Sequence, residues 1–135
     1  MGALPDFRRR AERLCRWPVL LAWMALIFAL SSIPNEVVNV APQRIPFDKM
    51  AHGSEYAVLG FLLFGIGRAH ARGVRAGVVL AAAAVALATL YGATDELHQR
   101  FVPGRDPDLH DLAADGMGSA VGALAAAFTL RWRRA

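Results

Sequence analysis

The chain has 135 residues, of which 56% are apolar and 19% are charged, and its mean hydropathy is +0.34. This length is enough for one domain, and so apolar a composition excludes an intrinsically disordered protein. A disulfide-stabilised scaffold is also excluded, because Cys15 is the only cysteine and has no partner within the chain.

Four apolar segments predict four transmembrane helices. Residues 17–35 and 76–94 contain no charged residue, and at about 1.5 Å per residue each run can cross a hydrocarbon core of about 30 Å. The runs 56–67 and 116–130 reach that length only when they are extended backwards through acidic residues and, in one case, a histidine. We therefore predict an all-α, polytopic four-helix transmembrane bundle with helices near 17–33, 49–69, 76–94 and 110–130.

Two alternatives compete with this prediction. A soluble all-α bundle would need polar residues at helical spacing, and residues 78–87 have no polar face. The first segment also resembles a signal peptide, with Arg8, Arg9 and Arg10 before the apolar run. We favour an uncleaved helix, because the apolar run is long and no clear small-x-small cleavage site precedes Pro34.

The basic residues lie mainly on one side of the predicted bundle. One side of the bundle comprises the segment before the first helix, the connection between the second and third helices, and the segment after the fourth helix. This side contains eleven of the 15 Arg and Lys residues and two of the 11 acidic residues, so its net charge is +9. The other side carries four basic and nine acidic residues, a net charge of −5. The positive-inside rule therefore places both termini in the cytoplasm. The pI near 10.2 then reflects cytoplasmic ends that face anionic lipid, so we expect a bilayer and no nucleic acid as partner.

The predicted domains are a basic N-terminal segment (1–16), a membrane domain (17–130) and a basic tail (131–135).

Three polar segments meet at the predicted outer ends of the helices. In the second helix Asp48, His52 and Tyr56 share one face, because they are spaced four residues apart. The full set is Asp48, Lys49, His52, Glu55 and Tyr56; then Asp95, Glu96, His98, Gln99 and Arg105; then Asp111 and Asp115.

Taken singly, these residues have structural explanations. Asp48, Asp108 and Asp111 could be helix caps, and Tyr56 could belong to an interfacial aromatic belt. Taken together, they predict a site. Asp95 and Glu96 are expected just after the third helix, where its dipole disfavours anions unless Gly92 breaks the helix. Acids and histidines placed inside membrane helices are costly and usually functional.

Glycine and proline positions predict how the segments connect and pack. Pro103 and Gly104 favour a type II turn in the second outer loop. Gly118 and Gly122 form a small-xxx-small pair that lets another helix approach closely, and Gly60 with Gly65 offers a weaker version.

Linked motifs carry a resemblance to a known family. They are Asp48-Lys49-x-x-His52-x-x-Glu55-Tyr56-x-x-Leu59-Gly60, Asp95-Glu96-x-His98-Gln99-x-Phe101-x-Pro103-Gly104-Arg105, and Asp111-x-x-x-Asp115-x-x-Gly118-x-x-x-Gly122, with Ser31-Ser32 at the end of the first helix. Over about residues 20–125 the chain resembles the VanZ-like family. The resemblance implies a small bacterial integral membrane protein of the inner membrane, in a family whose founding member is associated with low-level teicoplanin resistance. It names no reaction.

The polar set supports two main functional hypotheses. In the first, the outer face binds or processes a lipid-linked or phosphate-bearing envelope component. The candidate catalytic residues are His52, Asp48, Glu55, Asp95 and Glu96, with His52 as acid or base oriented by Asp48 or Glu55. The candidate substrate-binding residues are Arg105, Lys49, Gln99, Tyr56 and His98. The cofactor is open. A divalent cation would use Asp95, Glu96, Asp111 and Asp115, although no diagnostic ligand spacing is present.

In the second hypothesis, the protein is a non-enzymatic envelope modulator, and its polar residues form a structural network between helices. An ion or proton pathway is disfavoured, because no charged residue lies between 76 and 94.

Overall fold

The computed structural model describes residues 16–34, 47–70 and 73–132, with the backbone alone at 47–48 and 130–132. The all-α prediction is confirmed, because this part of the chain contains four helices and no strand. The predicted basic segments, except for Arg16, Arg131 and Trp132, and the side chain of Asp48 lie outside this description. The helices are α1 (Arg16–Ser31), α2 (Phe47–Arg68), α3 (Val74–Gln99) and α4 (Leu109–Trp132).

The end of α3 corrects one prediction. The other helix ends fall within two residues of their predicted positions, but α3 continues five residues beyond 94 to Gln99. Asp95 and Glu96 therefore lie within its last turns and do not follow the helix. Gly92 does not break α3, which continues through it. It is buried against Asp115, where a side chain would have no room.

The tightest packing in the bundle joins α2 to α4, and glycine makes it possible. A Cβ on Gly118 would overlap the main chain of Gly53, and a Cβ on Gly122 would overlap the carbonyl of Ala57. From the α2 side, a Cβ on Gly60 would overlap the main chain of Ser119. Without side chains at these positions, the two backbones approach closely and many van der Waals contacts form. By contrast, no atom would lie within 4 Å of a Cβ on Gly65.

The helices α3 and α1 complete the bundle around this pair. α3 packs against both α4 and α2, and α1 packs mainly against α2. The indole of Trp23 in α1 donates a hydrogen bond of 2.9 Å to the carbonyl of Glu55, and the Tyr91 hydroxyl donates one of 2.7 Å to the carbonyl of Met24. The main apolar core consists of Leu20, Ile27, Tyr56, Leu59, Ile66 and Ala88.

Much of the outward surface of the helices is apolar. α3 and residues Leu109–Thr129 of α4 are long and apolar enough to cross a membrane, and α1 is a shorter apolar helix. Only 17% of the most apolar stretch of α3 and 33% of that of α4 is buried inside the protein. Large side chains such as Leu90 and Phe128 are therefore exposed over most of their surface. An outward apolar surface of this extent is typical of a protein that faces lipid.

Candidate functional site

Seven buried polar residues gather where α1 and α3 end and α2 and α4 begin. Their side chains come from all four helices, because consecutive helices run in opposite directions and return to the same end. Each of the seven residues is at most 7% exposed. We call them the polar cluster: Ser31, His52, Asp95, Glu96, Gln99, Asp111 and Asp115.

A histidine–aspartate pair lies within the polar cluster. The Nδ1 atom of His52 is 3.0 Å from Oδ1 of Asp115, and both side chains are buried. When Nδ1 carries the proton and donates it to the carboxylate, Nε2 keeps its lone pair as a base or a ligand. The sequence suggested Asp48 or Glu55 as the residue that orients His52. The structure instead places Asp115 against its ring, with Glu55 only half-buried.

Glu96 and Asp111 lie beside His52. One potential ligand atom from each of the three residues lies within 4.8 Å of the others. The Oε2 atom of Glu96 accepts a hydrogen bond of 2.8 Å from the backbone N–H of Asp108, and Asp111 Oδ1 accepts one of 2.7 Å from Lys49. This group differs from the predicted set of four carboxylates, since it includes His52 and omits Asp95 and Asp115.

Asp95 has a different environment. Its Oδ1 atom accepts a hydrogen bond of 2.6 Å from the Ser31 hydroxyl, and Oδ2 accepts a longer one of 3.4 Å from Gln99. Next to this contact, the Ser32 hydroxyl lies 3.0 Å from Nε2 of His98. Asp95 therefore connects α1 to α3. Ser31 and Ser32 were not predicted as site residues, although the sequence shows a serine pair at the end of the first apolar segment.

Two cations border the polar cluster. The Lys49 ammonium lies 2.6 Å from Asp108 Oδ2 and 2.7 Å from Asp111 Oδ1, and it remains partly exposed. The contact with Lys49 lowers the pKa of Asp108, which lies in the loop just before α4, and hydrogen bonds from His110 add to the effect. The guanidinium of Arg105 donates a bond of 3.3 Å to the carbonyl of Ile33. Lys49 thus joins the starts of α2 and α4.

The loop between α3 and α4 has the predicted local structure. Gly104 has a φ of 73°, and the N–H of Arg105 donates a hydrogen bond of 3.1 Å to the carbonyl of Val102, as a type II turn requires. Asp108 caps α4, because its Oδ1 accepts a bond of 2.8 Å from the N–H of His110.

Three buried side-chain oxygens have no hydrogen-bond partner among the described residues. They are the Tyr56 hydroxyl, Glu96 Oε1 and Asp115 Oδ2. The Tyr56 ring lies parallel to the His52 ring, with 6.4 Å between their centroids. Buried oxygens without partners are rare in folded proteins, and a catalytic role, a bound water or a bound ion can account for them.

The amino-acid sequence was compared with those of known proteins. Neither the search of the curated proteins nor that of the solved structures returned a match. The family model VanZ/LLP1 matches residues 17–130, which include nearly the whole of all four helices and the entire polar cluster. The chain therefore belongs to the VanZ/LLP1 family.

Proposed function

We propose that the protein crosses the bacterial inner membrane four times, with both termini in the cytoplasm and the polar cluster at the extracytoplasmic face. The apolar outward surfaces of α3 and α4 support insertion. The net charge of +9 on one side and −5 on the other supports the orientation. In this topology, the polar cluster lies at the level of the outer lipid headgroups.

We further propose that the polar cluster binds or processes a lipid-linked, phosphate-bearing envelope component. The observation that carries this proposal is the buried His52–Asp115 pair beside oxygens that have no partner. An unsatisfied buried polar group costs about 1–3 kcal/mol, so its retention favours a role in binding. In the proposed topology, a phosphate-bearing headgroup lies at the same depth as these oxygens.

The residues then take distinct roles. His52 acts as general acid or base, and Asp115 fixes its tautomer. Lys49 and Arg105 border the cluster, where a phosphate can be bound through charge-assisted hydrogen bonds. If the lipid is an envelope precursor that glycopeptides recognise, binding or altering it would give a route to reduced teicoplanin susceptibility.

A second candidate function is non-enzymatic, and the bonding of Asp95 favours it. Both oxygens of Asp95 are engaged within the protein, and Lys49 is bound by two aspartates. In this case the cluster specifies how the helices pack more than it stabilises them, because an interhelical hydrogen bond in a membrane contributes only about 0.6 kcal/mol on average. The protein would then modify the envelope by occluding a lipid-linked precursor.

Reconstitution can separate the two candidates. The purified protein is placed in vesicles that contain a membrane lipid extract, and mass spectrometry follows the phosphate-bearing headgroups. We expect the wild-type protein to bind or convert one headgroup class, and His52→Ala to lose this activity. His70→Ala removes an exposed histidine that does not contact the polar cluster and should behave as wild type. If inserted His52→Ala retains full activity, His52 has no role in processing. If the wild-type protein neither binds nor converts any headgroup class, the structural candidate is favoured.

A further inference from the structure

We propose that His52, Glu96 and Asp111 bind a divalent transition-metal cation, with Asp115 as the residue that orients the histidine ligand. The proposed metal site lies in the same polar cluster as the proposed function. The cluster can bind a metal whether or not the protein has that function.

The geometry of the three side chains supports a cation site. Their potential ligand atoms lie within 4.8 Å of one another and come from α2, α3 and α4. Ligands bound at about 2.0–2.2 Å from one metal lie roughly 3–4 Å apart, so small side-chain rotations suffice to close the site. All three residues are more than nine-tenths buried.

The unpartnered oxygens provide an independent observation. Glu96 is only 7% exposed and its Oε1 has no hydrogen-bond partner, while its Oε2 is held by the N–H of Asp108. The carboxylate is thus fixed in orientation with one oxygen left to bind a ligand. Asp115 Oδ2 is similarly buried without a partner. A cation in the cluster would interact favourably with both oxygens.

Charge balance also favours a cation. Four carboxylates are buried in the cluster, on Asp95, Glu96, Asp111 and Asp115, and no Lys or Arg is buried among the described residues. Lys49 reaches Asp111 from a partly exposed position. Because an uncompensated buried charge is strongly destabilising, a divalent cation would stabilise this arrangement.

The donor set indicates which cation fits. One imidazole nitrogen with two carboxylates favours Zn²⁺ or Mn²⁺ over Mg²⁺ and Ca²⁺, which prefer oxygen ligands alone. A metal-bound histidine usually donates its other N–H to a carboxylate, and Asp115 is in that position. Three protein ligands leave a coordination position open. If the proposed function holds, a phosphate oxygen of the headgroup takes that position, which lets an acidic cluster bind an anion. His52 then acts as a metal ligand in place of a general acid or base, because Nδ1 is engaged by Asp115 and Nε2 by the metal.

Metal titration of the full chain tests the site. The protein, purified in detergent and stripped with a chelator, is titrated with Zn²⁺ by calorimetry, and with Co²⁺ while its visible absorption is recorded. We expect one equivalent of Zn²⁺ per chain and a Co²⁺ absorption band. His52→Ala and Glu96→Gln should each weaken Zn²⁺ binding at least tenfold, and Asp115→Asn should weaken it about 10- to 100-fold.

Matched variants control for surface binding and for folding. His70→Ala and Asp106→Asn remove an exposed histidine and an exposed acid outside the polar cluster, and they should bind Zn²⁺ as wild type does. The wild-type Co²⁺ spectrum does not depend on how the variants fold. A wild-type protein that binds less than half an equivalent, or equal affinities of Glu96→Gln and Asp106→Asn, would overturn the proposal.

The same preparations separate this site from the proposed function. Stoichiometric Zn²⁺ binding without any effect on phosphate-bearing lipids would retain the metal site and reject only the proposed function. Failure of the stripped protein to bind Zn²⁺, together with binding or conversion of a headgroup by that protein, would reject the metal site and leave the proposed function in place.

Discussion

Hydrogen bonds divide the carboxylates at the polar end into two kinds. Asp95 has both oxygens engaged, by Ser31 and Gln99, and connects two helices. Glu96 and Asp115 each have one oxygen that is engaged and one that is buried without a partner. The first kind stabilises the fold, whereas the second leaves a position for a ligand. The sequence alone shows no difference between these acids.

Gly92 controls the position of Asp115, and this gives a prediction at the residue scale. A Cβ at Gly92 would lie 2.5 Å from Asp115 Oδ2, so Gly92→Ala should displace the carboxylate from His52 and lower the free energy of unfolding by about 1–3 kcal/mol. Unfolding in detergent gives the free energy, and the nitrogen NMR shifts of His52 report the lost contact.

The matched control for Gly92→Ala is Gly77→Ala in the same helix. No atom would lie within 4 Å of its Cβ, so this change should leave the His52 shifts unchanged and stabilise the helix by about 0.5–1 kcal/mol. Unaltered His52 shifts in Gly92→Ala would show that Gly92 does not hold the pair in place.

At the scale of helices, the register between α2 and α4 brings the site together. Helical periodicity within the sequence placed Asp48, His52 and Tyr56 on one face, because all three lie in one element. The partner of His52 is 63 residues away, and its position depends on how α4 lies against α2. The sequence indicated small residues at Gly118 and Gly122 but not which residues they would contact.

The length of α3 shows a second limit of the sequence. The uncharged run ended at residue 94, because Asp95 and Glu96 follow it, and a helix end was predicted there. In the structure the helix continues, because Asp95, Glu96 and Gln99 bury their polar groups inside the cluster. Contacts with the other helices thus extend α3 beyond the point where its composition changes from apolar to polar.

Gly122 tests the packing of α2 against α4. In Gly122→Ala the new Cβ would overlap the Ala57 carbonyl, so the helices must separate, and we expect a loss of about 1–3 kcal/mol in the free energy of unfolding. Gly65→Ala in α2 meets open space and is the control, with no loss expected. Equal stability of the two variants, measured by unfolding in detergent, would contradict a close approach at Gly122.

At the scale of the whole molecule, two asymmetries coincide. The basic residues gather towards the end of the bundle where α2 meets α3, while the buried acids lie at the opposite end. The first asymmetry orients a membrane protein, because basic loops remain in the cytoplasm. The second concentrates polar groups at one membrane surface. In the topology that we propose, the polar cluster would therefore face the outer leaflet.

Cysteine labelling in intact cells tests this topology. After Cys15→Ser has removed the only cysteine, single cysteines are placed at two exposed positions, Asp106→Cys in the loop before α4 and Arg75→Cys at the start of α3. A membrane-impermeant maleimide should label Asp106→Cys in intact cells. It should label Arg75→Cys only after permeabilisation, because ten of the eleven basic residues on that side remain in this variant and favour the cytoplasm. The reverse pattern would place the polar cluster at the cytoplasmic face, and labelling of both positions in intact cells would exclude that α3 crosses the membrane.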